Sequence, residues 1–355
     1  MERKTEKYIT RRKSMPLDMN PRDVSVLLLY NIDPSWTDQE REDVISVTTL
    51  LHQAVSDVGH PVTMLPLCRD NLQEVMELHD PASQLVLNWC EGIPGKSHSE
   101  HEAARDLERL GFAFTGAGSA ALELAGDKRR VKRILERSGV PTPQWRLYDR
   151  PDGDGWNRFP AIVKAANEHC SEGITRESVV MTEAELVERI AYILDTFRQP
   201  ALVEDFIDGR EFHVSLWGNG HIEMLPPAEM DFSLFSDIHD RLCTHDSKCV
   251  PGSVHYDGIQ TLLPAPLDER ELHDLKRVCL TAYLAVGCRD YGRIDVRMHD
   301  GVPHVLDVNP NADISADASM ASAAEIAGYT YGQMGSRIVR LAARRHPVWG
   351  RGNAR

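Results

Sequence analysis

The sequence predicts an α/β domain followed by an α+β region in a chain of 355 residues. In the first 110 residues, apolar strand-like runs alternate with helical patterns, which is typical of a doubly wound parallel sheet. Beyond that point the pattern changes to short strands, hairpins and polar loops. The length is sufficient for two or three domains with their own cores.

The N-terminal α/β pattern covers residues 22–126. Val24–Tyr30 is a continuous apolar run, as expected for a strand that is buried on both faces of a parallel sheet. In such a sheet ligands bind at the carboxyl ends of the strands, and Asn88–Gly92 follows one such end. The predicted strands are Val24–Tyr30, His60–Leu65 and Ser83–Asn88, and the predicted helices are Asp38–Val58, Asn71–His79, His98–Leu110 and Ala120–Ala125.

Two further parts are predicted, a central one over residues 127–217 and a C-terminal one over 218–346, followed by a basic tail at 347–355. Residues 231–260 are polar and irregular, and loops of that length are usually lids, binding loops or disordered segments. The predicted elements are a helix at Asp127–Arg137, a linker at Pro141–Pro143, strands at Phe159–Ala165 and Ser178–Val180, a helix at Glu183–Phe197, a strand at Ala201–Ile207, a hairpin of Glu211–Trp217 with His221–Leu225, and helices at Asp268–Val286 and Ser319–Arg345.

Composition narrows the class of function. The net charge of -14 argues against non-specific binding to nucleic acid, and no run of about 18 apolar residues predicts a membrane span. The seven cysteines are scattered without Cys-x-x-Cys spacing, which indicates thiols in a reducing cytoplasm. The basic, polar residues 1–21 lack the apolar core of a signal peptide, and we expect a disordered arm there rather than a partner-binding segment.

Two strand-like runs, Gly292–Val296 and Val305–Pro310, carry candidate metal ligands. Because side chains alternate along a strand, Arg293 and Asp295 share one face of the first run, and Asp307 and Asn309 share one face of the second. The opposite faces are expected to hold Ile294, Val296, Leu306 and Val308.

The pairing of the two runs depends on the turn between them. A loop centred on Gly301 would place Asp295 opposite Asp307, whereas a tight two-residue turn would offset them. Two carboxylates that close repel each other unless a cation lies between them. Ligands that are all oxygen favour a hard ion, so we expect Mg²⁺ before Zn²⁺.

The segment Glu204–Phe212 has the composition of a nucleotide-binding bend. Glu204 and Glu211 stand at its two ends with apolar residues between them, and an adenosine needs an apolar slot together with a carboxylate for its ribose. A strand–turn–strand with a solvated acidic face is supported equally well by this segment alone. Lys128, at a helix start, and Lys164, at a strand end, would by themselves be ordinary solvated lysines.

Together these segments resemble the ATP-grasp superfamily, and within it the D-alanine–D-alanine ligase family. Each motif is weak singly, but their order and spacing from about Asn88 to Arg345 are specific. The matching motifs are Asn88–Gly92, Thr115-Gly116, Asp127-Lys128, Ile162–Lys164, Glu168–Gly173, Leu202–Glu204 with Glu211-Phe212, Lys248 before Pro264–Leu267, Gly292–Asp295 and Asp307–Pro310. The resemblance implies an ATP-grasp fold, with a Rossmann-like N-terminal domain before two α+β domains that hold ATP between their sheets.

The resemblance also implies a role for each matched residue. Arg293 would stabilise a developing oxyanion, with Lys248 and Ser171 as further catalytic residues. The implied ATP contacts are Lys128, Lys164, Glu168, Ser171, Gly173, Glu204, Phe206, Ile207, Glu211 and Lys248. The implied ligands of two Mg²⁺ ions, for which Mn²⁺ could substitute, are Asp295, Asp307 and Asn309.

The substrate-binding segments depart from the family pattern. Tyr30–Pro34 stands where the family carries a Gly-Gly-x-Ser-x-Glu signature, so Glu40, or else Glu42, is expected to hold the ammonium group of the first substrate. Asn311–Ser315 replaces the usual Ser-Pro-Gly, and Ala318-Ser319 replaces the usual Ser-Leu. His169 stands where a glycine is common, and Asp307 where a glutamate is common. The other candidate substrate residues are Glu91, Asp313, Ser315 and Ser319.

These observations predict an ATP-dependent carboxylate–amine ligase that acts on small amino acids or carboxylates other than the family's usual pair. The first alternative is a true D-alanine–D-alanine ligase. A second alternative, from another class, is a nucleotide-binding regulatory module without catalysis, and the complete set of Arg293, Asp295, Asp307 and Asn309 argues against it. Because relatives commonly dimerise, we expect a homodimer.

Overall fold

The computed structural model describes residues 20–168, 171–244, 246–250 and 252–350. The predicted arm lies outside this set except for its last two residues, and so do His169, Cys170 and the end of the predicted tail. The side chain of Lys248 also lies outside it. Among the described residues, no helix combines the length and the apolar character that crossing a membrane requires.

Eleven helices and thirteen strands make up the described part of the chain, apart from three short 3-10 turns. The helices are α1 Asp38–Asp57, α2 Leu72–Met76, α3 Glu100–Arg109, α4 Ser119–Ala125, α5 Lys128–Arg137, α6 Glu183–Phe197, α7 Asp246–Cys249, α8 Val254–Gly258, α9 Glu269–Val286, α10 Ser319–Ile326 and α11 Tyr331–Ala343. The strands are β1 Ser25–Asn31, β2 Val62–Leu67, β3 Gln84–Trp89, β4 Trp145–Tyr148, β5 Ala161–Ala165, β6 Val179–Val180, β7 Ala201–Asp205, β8 Arg210–Asn219, β9 His221–Met224, β10 Ala228–Asp231, β11 Gln260–Leu262, β12 Tyr291–His299 and β13 Val302–Asn309.

The N-terminal layer is a parallel sheet in the order β2-β1-β3. Alternate residues of β1 enter different cores, as the strand period requires. Val26 and Leu28 pack with residues of α1 and α11, whereas Leu27 and Leu29 pack with residues of α2 and α3. This arrangement confirms the predicted parallel α/β pattern and places helices on both faces of the sheet.

Helix α11, from the end of the chain, completes this N-terminal layer. A Cβ atom at Gly332 would lie 2.1 Å from the carbonyl oxygen of Ala54, so α11 approaches the backbone of α1 where only glycine fits. The N-terminal layer therefore shares a core with α11. The boundaries at 126 and 217 stay predictions.

The central sheet is antiparallel, in the order β4-β7-β5-β6, and α6 packs on one of its faces. Strand β4 was not predicted, because it is a short edge strand without a continuous apolar run directly after the Pro141–Pro143 linker. The other face of this sheet carries Ile162, Lys164 and Glu204 and is turned towards the cleft described below.

The third sheet is antiparallel, in the order β11-β10-β8-β12-β13, with β9 paired to the end of β8. Helices α5 and α9 cover its apolar face. The prediction of one irregular stretch over 231–260 was wrong at both ends and in the middle, because β10 ends at Asp231, β11 begins at Gln260, and α7 and α8 lie between them. Both strands are short, β11 at the sheet edge and β10 beside it, and so few residues give a weak alternation signal in the sequence.

The turn between β12 and β13 is tight, and a bulge restores the pairing of the two carboxylates. Asp300 and Gly301 both have positive φ, as a two-residue hairpin turn requires. The register runs from His299 opposite Val302 to Val296 opposite Val305, and then shifts by one so that Asp295 faces Asp307. The extra residue is Leu306, which lines the cleft, so its predicted place on the opposite face was wrong.

Candidate active site

The polar faces of the central and third sheets enclose one cleft. Its empty space, counted out to the open solvent at the mouth, is about 860 Å³. Ten of the residues predicted from the sequence line it: Lys128, Lys164, Glu168, Ser171, Glu204, Phe206, Ile207, Glu211, Asp295 and Asp307. Residues not predicted also line it, among them Ile162, His213, Leu242, Cys243, Arg297 and Leu306.

Asp295 lies at the centre of a polar network on the hairpin. Arg293 grips its carboxylate with two bonds, of 2.7 Å from Nε and 3.0 Å from Nη2. Asn309 Nδ2 donates to the same carboxylate at 3.0 Å. Burial disfavours the charge of Arg293, but the adjacent Asp295 outweighs that effect and raises the pKa of the guanidinium further. The guanidinium is therefore held charged and in a fixed plane.

Lys128 extends from the first turn of α5 to the second carboxylate of the hairpin. Its Nζ donates to Asp307 Oδ2 at 2.8 Å. Burial opposes the charge of Lys128, but the carboxylate of Asp307 outweighs burial and keeps the pKa of the lysine above its ordinary value. The α5 helix thus places a permanent cation beside the two acidic side chains.

Glu204 is buried between two lysines. Lys164 Nζ donates to Oε2 at 2.8 Å, and Lys132 Nζ lies 2.5 Å from Oε1. Burial alone would raise the pKa of Glu204, but the two lysines outweigh it and lower that pKa. Burial lowers the pKa of Lys132 despite its carboxylate partner. Lys132 also donates to Thr142 Oγ1 at 2.7 Å, so it fixes Glu204 from behind the cleft.

An apolar slot lies between the central sheet and the segment after β10. Ile162, Phe206 and Leu242 form its buried core, with Val179 behind them. The Arg297 guanidinium stacks 4.6 Å from the Phe206 ring, closing one side of the slot. Such a slot with charged groups at its rim is the environment that an adenosine needs.

Glu211, at the rim of this slot, is held by a buried arginine. Arg297 Nε donates to Glu211 Oε2 at 2.8 Å, and the two residues are opposite each other on β8 and β12. Burial would raise the pKa of Glu211, but Arg297 and then His213 outweigh it and hold that pKa far below its ordinary value. Glu211 is therefore ionised throughout the physiological range.

The small loop that was predicted to close over ATP lies at the cleft wall. Ser171 and Gly173 both have positive φ, and a Cβ at Gly173 would lie 2.5 Å from the Phe197 ring, so glycine is required there. Gln199 Nε2 donates to Glu168 at 2.5 Å. Arg189 Nη2 donates to the Gly173 carbonyl oxygen at 2.6 Å, so Glu168 and Gly173 are each held by a hydrogen bond.

The residues just past Pro310 are bound to the N-terminal layer through Asn311. Its Oδ1 accepts a bond of 2.8 Å from the Ala117 amide, and its Nδ2 donates to Glu100 Oε1 at 2.7 Å. Gly116 permits this approach, because a Cβ there would lie 2.3 Å from Asn311 Oδ1. The segment that departs from the family pattern is thus fixed in place.

The structure accounts for the predicted substrate residues in different ways. The amide and the hydroxyl of Ser315 each donate a hydrogen bond of 2.8 Å to the carboxylate of Asp313. Burial, together with the nearby charge of Asp313, raises the pKa of Glu91. Ser319 Oγ lies 3.4 Å from His213 Nδ1. Glu40 is exposed and caps its own helix through Thr37, outside the cleft lining, so its substrate role stays a prediction.

Comparisons with known proteins identify the chain. A family model described as the D-ala D-ala ligase C-terminus matches residues 143–340, more than half of the chain. The uncharacterised protein y4sG of Sinorhizobium fredii is 32% identical over 74% of this chain and 76% of its own length. The chain belongs to the D-alanine–D-alanine ligase family.

Other members of the ligase family extend this comparison. The D-alanine–D-alanine ligase of Desulforamulus reducens is 29% identical over 66% of this chain and 75% of its own. The crystal structure of the Bacillus anthracis D-alanine–D-alanine ligase complexed with ATP covers 93% of this chain with a TM-score of 0.67 and 17% identity, and all of that chain is covered. These matches confirm the predicted ATP-grasp fold and the predicted class of ligase.

Lys132, Arg297, His213 and Cys243 are among the residues in or behind this ligase-family cleft that were not predicted from the sequence. Lys132 follows Lys128 by four residues, which places both on one face of α5, and this spacing was a usable signal. Arg297 shares strand parity with Asp295, and His213 shares it with Glu211, so both were within reach of the same argument. Cys243 lies on an irregular segment and had no sequence signal.

Glu100 gives the ligase-family fold a pH dependence. Burial raises its pKa from 4.5 to about 7, the bond from Asn311 opposes this in part, and Glu91 adds repulsion. The contribution of Glu100 to stability is therefore fully present below pH 4.5 and is lost as the pH rises through about 7. Between about pH 5 and pH 8, ionisation of Glu100 should lower the unfolding free energy of the unmodified chain. We expect Glu100→Gln to lose roughly 1–3 kcal/mol less than the unmodified chain over this range, as measured by urea titration.

The exposed Glu102, on the same helix, provides the matched control. Glu102→Gln should leave the pH dependence of unfolding as it is in the unmodified chain. If the unfolding free energy changed equally with pH in Glu100→Gln and in the unmodified chain, the assignment of this pH dependence to Glu100 would be contradicted.

Proposed function

We propose that this protein is an ATP-dependent ligase that joins a carboxylate to an amine through an acylphosphate, releasing ADP and phosphate. The observation that carries the proposal is the convergence of Asp295, Asp307, Lys128 and Lys164 in one cleft beside an apolar slot, with Arg293 bonded to Asp295. Pure nucleotide binding would not need an arginine held beside two carboxylates. Phosphoryl transfer needs such groups to neutralise charge on the transferred group.

The donor set of the hairpin fits Mg²⁺. Asp295, Asp307 and Asn309 offer two carboxylates and an amide oxygen, the hard ligands that this ion prefers. They would hold Mg²⁺, which when bound would neutralise charge on the phosphates of ATP. Lys128 already compensates Asp307, so the acidic pair is stable before any ion binds.

The nucleotide is proposed to lie with its base in the slot of Ile162, Phe206 and Leu242 and its ribose at Glu211. Lys164 and Lys128 then contact the phosphates. Glu204 and Lys132, which lie behind Lys164, fix the position of its ammonium group. Because these partners are already in place, little reorganisation is required when ATP binds.

The reaction follows in two steps. An oxygen of the substrate carboxylate forms a bond to the γ-phosphorus, and the bond to the β–γ bridging oxygen breaks as ADP leaves. The amine nitrogen of the second substrate then attacks the acyl carbon, loses a proton, and expels phosphate together with the oxygen that had attacked. Arg293 stabilises the negative oxygen that develops at the acyl carbon.

The substrate pair is proposed to differ from two D-alanines. Asp313 lies in the segment that departs from the family pattern and adds a carboxylate there, close enough to Glu91 for the two acidic groups to repel. Acidic side chains favour a substrate that carries an additional ammonium group over a simple apolar amino acid. We propose further that the ligase works in the cytoplasm as a homodimer, which light scattering of the full chain will check.

The experiment is a screen for ADP release with ATP and Mg²⁺, using amino acids and small carboxylates singly and in pairs, with products identified by mass. We expect ADP release only with a specific pair of substrates. The product should have the summed mass of the two substrates less one water. ADP release with D-alanine alone, yielding the dipeptide, would support a true D-alanine–D-alanine ligase instead. ATP binding without ADP release for any pair would support the non-catalytic module.

A further inference from the structure

Glu211, His213 and Cys243 bring three different metal-ligating side chains together at the ribose end of the cleft. Their ligand atoms all lie within 4.8 Å of one another. Glu211 and His213 stand two residues apart on the same face of β8, whereas Cys243 comes from the segment between β10 and β11. The cluster shares no residue with the hairpin carboxylates that would hold Mg²⁺, although His213 lies opposite Asp295 on the neighbouring strands β8 and β12.

The histidine is oriented as a ligand. His213 Nδ1 lies 3.4 Å from Ser319 Oγ, and His213 Nε2 lies 3.8 Å from Glu211 Oε1. In the tautomer that donates from Nδ1 to Ser319, the lone pair of Nε2 points into the cluster. Metal-ligating histidines typically have their second ring nitrogen hydrogen-bonded in this way.

The carboxylate is also prepared for coordination. Arg297 engages only Oε2 of Glu211, at 2.8 Å, which leaves Oε1 facing His213. Glu211 and His213 are both buried, and Cys243 is half-buried at the cleft wall.

Thiol, imidazole and carboxylate ligands together select a borderline-soft ion. Zn²⁺ binds such donors at about 2.0–2.3 Å, so its ligand atoms lie roughly 3.3–3.8 Å apart in a tetrahedral site. The present separations of up to 4.8 Å therefore require closure by about 1 Å. Three protein ligands leave the fourth position open towards the cleft.

We propose that Glu211, His213 and Cys243 form a second metal site, for Zn²⁺ or a similar transition-metal ion, whose occupation excludes the nucleoside from the cleft. The ion ties the segment after β10 to β8 and takes the carboxylate that would bind the ribose. The inhibitory consequence rests on the proposed function, since it assumes that ATP uses Glu211. Binding of the ion itself does not depend on that assumption.

The test uses Co²⁺ as a spectroscopic substitute for Zn²⁺, added to the full chain without nucleotide or amino acids. We expect one Co²⁺ per chain to give a thiolate-to-metal charge-transfer band in the near ultraviolet, and Zn²⁺ to displace it. Cys243→Ser should abolish the band. His213→Gln should weaken binding roughly 100-fold or more, because loss of even an outer-shell partner costs about 10–100-fold.

Cys68→Ser, which alters an exposed cysteine elsewhere in the N-terminal layer, is the matched control and should retain the band. A second measurement uses only the unmodified chain: Zn²⁺ should protect Cys243 from alkylation, as read by mass spectrometry. Adenosine, which has no phosphates to chelate metal, should raise the Co²⁺ concentration needed for half-saturation. A band that persists in Cys243→Ser, or alkylation of Cys243 that Zn²⁺ does not slow, would overturn the metal site. A metal site that adenosine does not affect would overturn the exclusion of the nucleoside.

If the ligase proposal fails but the metal site is real, Co²⁺ still gives the band and no substrate pair releases ADP. If the metal site is wrong but the ligase proposal holds, ADP is released with a specific pair and Zn²⁺ gives no protection of Cys243. The two proposals therefore fail in distinguishable ways.

Discussion

Arg293→Lys will lower the rate of ligation by about 10²–10³, the usual loss when one donor to a developing oxyanion is removed. Lysine keeps the positive charge but lacks the planar fork that grips Asp295 with two bonds. The charge would remain near the acyl carbon without a fixed direction. Because the interaction is made in the transition state, kcat and kcat/KM should fall together while KM for ATP changes little.

Arg270→Lys is the matched control, because Arg270 is 92% exposed on α9 and lies outside the cleft lining. Its steady-state rates should equal those of the unmodified chain. A rise in KM for ATP with an unchanged kcat in Arg293→Lys would show that Arg293 serves in binding alone, and would contradict its role at the oxyanion.

Asp290→Asn will destabilise the fold by about 3 kcal/mol, near the lower end of the range for breaking a buried ion pair. Asp290 is fully buried and accepts bonds from the Gly116 amide at 2.9 Å, Asn219 Nδ2 at 2.7 Å, and the Arg345 guanidinium at 2.6 and 2.7 Å. These partners come from the N-terminal layer, the third sheet and the end of the chain. Because Arg345 is partly exposed, water recovers some of the loss.

Asp290→Asn removes the charge of the side chain without adding backbone strain. Asp290 has a φ of 63°, and asparagine tolerates that left-handed conformation. Asp300→Asn is the matched control, since Asp300 also has a positive φ but its side chain is 90% exposed. Urea unfolding should show a change of at most about 0.5 kcal/mol for the control. A loss below about 1 kcal/mol in Asp290→Asn would mean that the partners of Asp290 re-pair without it.

The hairpin of β12 and β13 shows what side-chain alternation along a strand can predict and what it cannot. Alternation alone placed Arg293 and Asp295 on one face of the first strand, and Asp307 and Asn309 on one face of the second. The structure brings these two pairs together. The pairing of Asp295 with Asp307 could not be decided, because it depends on a tight turn and a bulge at Leu306 acting together. A bulge is a choice among nearly equal backbone arrangements, and no residue type marks it here.

Elsewhere in the molecule, too, some features could be predicted from sequence periodicity and others could not. Lys132 and Arg297 could have been found from helix and strand periodicity, since each lies four residues from a predicted site residue. The packing of α11 onto the N-terminal sheet could not, because it joins residues about 300 positions apart through contacts that sequence order does not reveal. For the same reason Asp290, whose partners lie 55 to 174 residues away, was not recognised as a link between the layers.

The most direct test of the proposed reaction follows one oxygen atom. The acid identified by the ADP screen would be labelled with ¹⁸O in its carboxylate and used with unlabelled ATP, the second substrate and Mg²⁺. Transfer through an acylphosphate predicts that each phosphate released carries one ¹⁸O from the acid and that the amide keeps the other. Phosphate that contains no ¹⁸O, formed in step with the amide, would contradict carboxylate activation in this cleft.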